Sequence, residues 1–169
     1  ESQPFALAPA ALAQIHARLF GALDAQTYRP GTYKDVPLLK SEFILNGDSV
    51  SYADPSLVEN ALDFAFSEER GHCYTLSLDG EELDHFTRFV ARIWQVHPFF
   101  EGNTRTVAVF AILYLNELGF DADNQPFADH AAYFRNALVR ANYRNVKAGA
   151  LPDRAPLNRF FDNVVNGAA

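Results

Sequence analysis

His97-Pro98-Phe99-Phe100-Glu101-Gly102-Asn103-Thr104-Arg105-Thr106 gathers a base, an acid and a cation in one short stretch. His97, whose ordinary pKa lies near neutrality, can take a proton from an attacking hydroxyl while its ring is uncharged. Glu101 is the only acid of the stretch. One carboxylate, completed by phosphate oxygens and waters, is how proteins commonly hold Mg²⁺. Gly102 lets the backbone approach a phosphate with no Cβ in the way, Asn103 adds side-chain donors, and Arg105 offers a planar cation suited to phosphate oxygens. Singly these residues are a helix-end histidine, a solvated acid, a turn, a cap and a surface cation. Together they point to a phosphorylated ligand and a proton transfer beside it.

Two strongly periodic helices must position this stretch. Leu83, Phe86, Val90, Ile93 and His97 follow 3-4-3-4 spacing after Asp79 or Ser77 as cap, so one apolar face runs into the histidine. A second helix starts at about Asn103 or Thr104, carries Val107, Phe110, Ala111, Tyr114 and Leu118, and closes at Gly119. Its first N–H groups lack intrahelical acceptors and face the loop, where an anion can bind. Standing at a helix C-terminus favours charged His97 by roughly 0.3–1 kcal/mol, so activity is expected to fall below about pH 6.

The remaining pattern is also mainly helical. Pro9 opens a helix through Leu12, Ile15, Leu19 and Leu23, followed by an irregular stretch from Thr27 to Thr32. Asp54-Pro55 starts another through Leu57, Leu62 and Ala65, Asp129 caps one carrying Phe134, Leu138 and Ala141, and a last helix runs over about 155–166. Phe43-Ile44-Leu45 and Ser49-Val50-Ser51-Tyr52 flank Asn46-Gly47, which predicts a short β-hairpin. Trp94 and most of the 15 Phe residues fall within these patterns and are expected in the core.

The 169 residues are 49% hydrophobic with a net charge of −7, expected to form a single domain over 1–169, with its core at about 12–143. Residues 1–96 carry 14 acidic and 7 basic groups and the remainder 7 of each, which disfavours a sequence-independent nucleic-acid partner. Apolar runs fall well short of the roughly 18 residues that span a bilayer, so no membrane association is expected. Cys73 is the sole cysteine, which excludes an internal disulfide and a Cys-based zinc site and favours a reducing, cytoplasmic setting. The chain opens at Glu1 rather than Met and reads as a segment of a longer protein.

The loop resembles the Fic family, whose pattern is H-x-F-x-[D/E]-G-N-[G/K]-R with a second arginine after two further residues. His97, Phe99, Glu101, Gly102, Asn103 and Arg105 match, and the string LAQIHARLFGAL at Leu12 to Leu23 is similar to the family's first helix. The resemblance implies a Fic-type helical bundle and transfer of AMP from ATP to a Ser, Thr or Tyr hydroxyl of a target protein, with release of pyrophosphate. It casts His97 as base, Glu101 as Mg²⁺ ligand, Gly102 and Asn103 at the α-phosphate, Arg105 on the β-phosphate side and Phe99 as hydrophobic anchor, while Thr104 is read as a cap and phosphate donor together. Phe43, Ile44, Leu45, Asn46 and Gly47 would form a flap that docks an extended target segment. Thr104 stands where Gly or Lys is usual, and Ala108 takes the place of the second arginine. This leaves two alternatives, a Doc-like protein kinase or other nucleotide-dependent phosphate transferase, and a non-catalytic nucleotide-binding module. Ser77 and Glu81 have part of the family's inhibitory spacing, but Glu82 breaks it. An inhibitory helix is thus expected from a partner, outside this chain, or not at all. The setting implied is a bacterial cytoplasm, with export as an effector left open.

Overall fold

The computed structural model describes residues 4–75 and 77–167. Eight α-helices carry the described residues: α1 Pro9–Phe20, α2 Ala25–Tyr28, α3 Val58–Arg70, α4 Gly80–Val96, α5 Asn103–Glu117, α6 Gln125–Asp129, α7 Ala131–Asn142 and α8 Ala155–Asn166. Helix α4 is the hub, packing against α3, α5, α7 and α8, while α1 lies across α5 and α3. Its apolar positions recur every three or four residues, so Leu83, Phe86, Val90, Ile93 and Trp94 are buried along its length.

The core is aromatic, as expected: Trp94, Phe20, Phe66, Phe86, Phe99, Phe110 and Phe161 are fully buried. A buried carboxylate ties three helices. Glu69 of α3 accepts hydrogen bonds from the hydroxyls of Tyr74 (2.6 Å) and Tyr114 on α5 (2.8 Å) and meets His85 Nε2 of α4 at 2.9 Å. With its acceptor capacity met, the acid is tolerable inside the core.

Most helix starts match the sequence signals. Asp54 accepts the Ser56 N–H ahead of α3, and α8 spans the expected residues; Asp79 stands at the N-cap position of α4, but its side chain makes no capping hydrogen bond. Two readings are corrected. The helix placed after Asp129 is preceded by a separate short turn, α6, with the break at His130, because Phe127 packs edge-on against Phe134 and Phe160 from its own segment. The first helix ends at Phe20, short of Leu23, and a separate short helix, α2, capped by Asp24 through Gln26 N and Thr27 N, overlaps the start of the stretch expected to be irregular.

The β-hairpin is not formed. Phe43–Leu45 is a 3₁₀ turn, and the described residues contain no strand beyond isolated bridges at Tyr33–Phe99 and Asn145–Ala150. The reversal itself is as expected, with Asn46 at φ 54° and Gly47 at φ 92°. Its limbs, however, are joined only near the turn, by Glu42 N to Asp48 O and Gly47 N to Glu42 O. Ser41 Oγ donates to Gly47 O, Ser49 Oγ to Val50 O, and Asp48 Oδ1 takes the Ser49 N–H, so side chains satisfy groups a ladder would use. Tyr143 fastens the turn from the end of α7 through its hydroxyl on Asp48, at 2.7 Å.

Candidate active site

The α4–α5 junction is held from several directions. His97 ends α4 in the left-handed region, φ 51°, its N–H on Trp94 O. Lys34 N donates to Pro98 O (2.7 Å), and the buried Lys34 ammonium reaches Val96 O (3.1 Å). Burial pushes that ammonium down to about 8, against the pull of Asp54. Phe99 is fully buried and stacks on His16 at 3.9 Å. His16 Nε2 donates to Glu101 O and Nδ1 accepts Gly31 N–H, both at 2.9 Å, which fixes its tautomer and leaves it a structural residue.

His97, Glu101, Gly102, Asn103, Thr104 and Arg105 line one cleft, and Lys40 and Arg135 line it too. Its cavity is about 160 Å³, below the roughly 300 Å³ typical of sites that enclose a whole drug-sized ligand, but enough for phosphate groups. Three cations face one carboxylate there, in a chain whose net charge is −7. A larger cavity, about 420 Å³, is lined by Arg88, Arg92, Arg144 and Arg154, but offers no base and no free helix N-terminus.

The His97 ring is only 1% exposed, between Tyr52, stacked at 3.9 Å, and the edge of Trp94. Trp94 O lies 3.1 Å from Nδ1, and a carbonyl can only accept, so Nδ1 carries the proton and Nε2 keeps the lone pair. The expectation that His97 charges below about pH 6 is corrected. Burial pushes the imidazole down to about 3, assisted by Lys40, Lys34 and Arg135 and opposed by the Trp94 bond. Desolvation overrides the helix-end preference.

Gly102, at φ 80°, begins α5, but its missing Cβ makes room for Phe20, whose ring a methyl there would overlap, rather than for a ligand. Asn103 is buried and clamps the loop, taking Phe99 N–H on Oδ1 (2.9 Å) and giving Nδ2–H to Phe99 O (2.7 Å). That spends one of the side-chain donors expected to serve the ligand. Thr106 N bonds to Gly102 O at 3.0 Å, so the N–H groups one turn earlier have no carbonyl of α5 to meet. Thr104 Oγ1 accepts Trp94 Nε1–H (3.0 Å) and an Arg135 N–H (3.3 Å), which leaves its own proton to donate. The exposed Arg105 guanidinium lies over Phe20, 4.7 Å from the ring centroid, with Tyr28 at 5.9 Å.

Glu101 Oε1 is paired with Lys40 Nζ at 2.9 Å, and Glu42, nearly buried, with Arg135 at 2.7 Å. Among the described residues no group of three or more His, Cys, Asp or Glu comes together, so a protein-only metal cage does not fit. A partly exposed carboxylate beside an anion site does fit Mg²⁺ shared with phosphate oxygens. Of the turn residues Phe43, Ile44, Leu45, Asn46 and Gly47, none lines the cleft. Phe43 is 96% exposed, while Ile44 and Leu45 pack on the core.

The profile of the Fic/DOC family matches residues 6–115. Curated proteins provide no match to the sequence. Among solved structures, the chain is similar to BepA, a type IV secretion system effector protein (TM-score 0.69, 20% identity), covering 98% of this chain and 55% of that one. It is similar also to BepC, a VirB-translocated effector of Bartonella tribocorum solved with bound AMPPNP (TM-score 0.71, 15% identity, 97% and 77%). The N-terminal FIC domain of Bep8 from Bartonella sp. 1-1C gives TM-score 0.69 at 15% identity, over 98% and 76%. At these identities the likeness is one of fold, and this chain spans about half the length of BepA. With the profile extending from α1 through the cleft to α5, the chain belongs to the Fic/DOC family.

Proposed function

We propose that this chain transfers AMP from ATP to a hydroxyl of a target protein. The observation that carries the reading is a neutral, buried imidazole with its free Nε2 on the same small cationic cleft as the open N-terminus of α5. A triphosphate suits the cleft's charge and volume, with the nucleoside outside it. Nε2 takes the proton of the attacking hydroxyl. The hydroxyl oxygen bonds to the α-phosphorus, and the bond from that phosphorus to the bridging oxygen of the β-phosphate breaks, its electron pair leaving with pyrophosphate. The α5 N–H groups, the Thr104 hydroxyl and Arg105 stabilise charge on the phosphates. Mg²⁺, held by Glu101 and phosphate oxygens, would supply further neutralisation of the leaving group. BepC, of the same fold, was solved with an ATP analogue, which supports nucleotide as the ligand class.

The exposed Phe43 and the turn around it stand close in sequence to the cleft residue Lys40, a perch for an extended target segment. The test is incubation with cell lysate and ATP labelled at either the α- or the γ-phosphate. Label from the α position should stay on protein and be lost in His97→Ala. Retention of γ-label instead would make the chain a kinase. Retention of neither, with nucleotide still bound, would make it a binding module.

A further inference from the structure

The cleft holds more positive charge than the loop between α4 and α5 supplies. Arg135, in the first turns of α7, brings Nη1 to 3.3 Å from Thr104 Oγ1 and Nη2 to 2.7 Å from Glu42 Oε1. Thr104 is the second residue of α5, so the guanidinium stands beside the helix N–H groups that lack acceptors. Lys40 closes the opposite side through Glu101. Lys40 and Glu42 are two apart on a non-helical limb, which puts both on one side of it, and their opposite charges meet Glu101 and Arg135 in crossed pairs. A guanidinium has five N–H donors, and these bonds use two, so Arg135 can take phosphate oxygens while keeping Glu42. Residue 108, an alanine absent from the cleft lining, contributes no cation.

We infer that Arg135, assisted by Lys40, binds the terminal phosphates of the nucleotide, and that Glu42 holds the Arg135 side chain over the cleft before the nucleotide arrives. The inference rests on the nucleotide-transfer reading above. It gives the two residues of the ion pair opposite signs: losing Arg135 weakens ATP, whereas neutralising Glu42 removes a negative charge from beside the phosphates and tightens it.

Titration calorimetry with ATP and AMP, each with Mg²⁺ at low salt, separates the possibilities. Arg135→Ala should weaken ATP about tenfold or more and leave AMP within about twofold. Glu42→Gln should tighten ATP roughly threefold. Arg135→Ala leaves Glu42 buried without its cation, so the pair Glu42→Gln with Arg135→Ala is the control for folding: it should recover roughly threefold over Arg135→Ala alone and still bind ATP about threefold more weakly than wild type. A wild-type chain that transfers AMP while Arg135→Ala binds ATP unchanged, or loses ATP and AMP equally, overturns this inference alone. A wild-type chain that binds no nucleotide overturns the transfer reading with it.

Discussion

His97 shows how a single side chain can be prepared for proton transfer by burial. In water its imidazole would be half protonated near pH 6.5; between Tyr52 and Trp94, beside Lys40, Lys34 and Arg135, it stays neutral down to about pH 3. With ATP kept as its magnesium complex, kcat/KM should therefore lack an acid limb with a midpoint near 6.5. A limb there that disappears in no other variant but those of His97 would contradict the burial argument. The same shift carries a stability term with a defined sign. Below pH 6.5 the unfolded chain binds a proton that native His97 refuses, so this contribution is complete above that pH and is lost as pH falls toward 3. The loss is on the order of 2 kcal/mol by pH 5, to which His16, also held down by burial, adds in the same direction. Urea unfolding at pH 7 and pH 5 should show a larger drop in wild type than in His97→Gln, and equal drops would contradict it.

At the scale of elements, the site depends on how α5 starts. Gly102 combines a positive φ with contact to Phe20 of α1, and Phe20 in turn lies under Arg105. Gly102→Ala would add left-handed strain of roughly 1–2 kcal/mol to an overlap that displaces the Phe20 ring. We expect a thermal midpoint lowered by several degrees and nucleotide affinity reduced at least tenfold. An alanine variant with wild-type affinity would mean that the α5 N-terminus is not set by this residue. The junction was legible in the sequence because its signals are local: the periodicity of α4 and α5, the glycine between them and the histidine at the end of an apolar face. Lys40, Arg135 and His16 were not, since they reach their partners across separations of 61, 93 and 85 residues, and no local pattern encodes such meetings. Lys40 and Glu42 left only the faint signal of opposite charges two apart. The turn at Asn46-Gly47 was readable from its backbone demands; its missing strands were not, because serine and aspartate side chains compete for the backbone there.

Over the whole molecule, the acidic first half of the chain supplies both Lys40 and Glu42, while the charge-balanced second half supplies the α5 N-terminus, Arg105 and Arg135. A chain with seven surplus negative charges thus builds a small cationic spot at the α5 N-terminus, where an anion gains most from local donors and least from the long-range field. The hub position of α4 keeps that spot rigid. The helix is packed on four neighbours, and its last residues, Trp94 and Val96, hold the base and the incoming lysine through Trp94 O and Val96 O. The family assignment accounts for the frame; the chemistry depends on a triphosphate reaching this spot. A crystal soaked with a non-hydrolysable ATP analogue and Mg²⁺ tests that directly. The account predicts phosphates on the α5 N-terminus, with Arg135 on the outermost group and His97 Nε2 facing the α-phosphorus opposite the pyrophosphate oxygen. Phosphates bound elsewhere, or an imidazole turned away from the α-phosphorus, would contradict it.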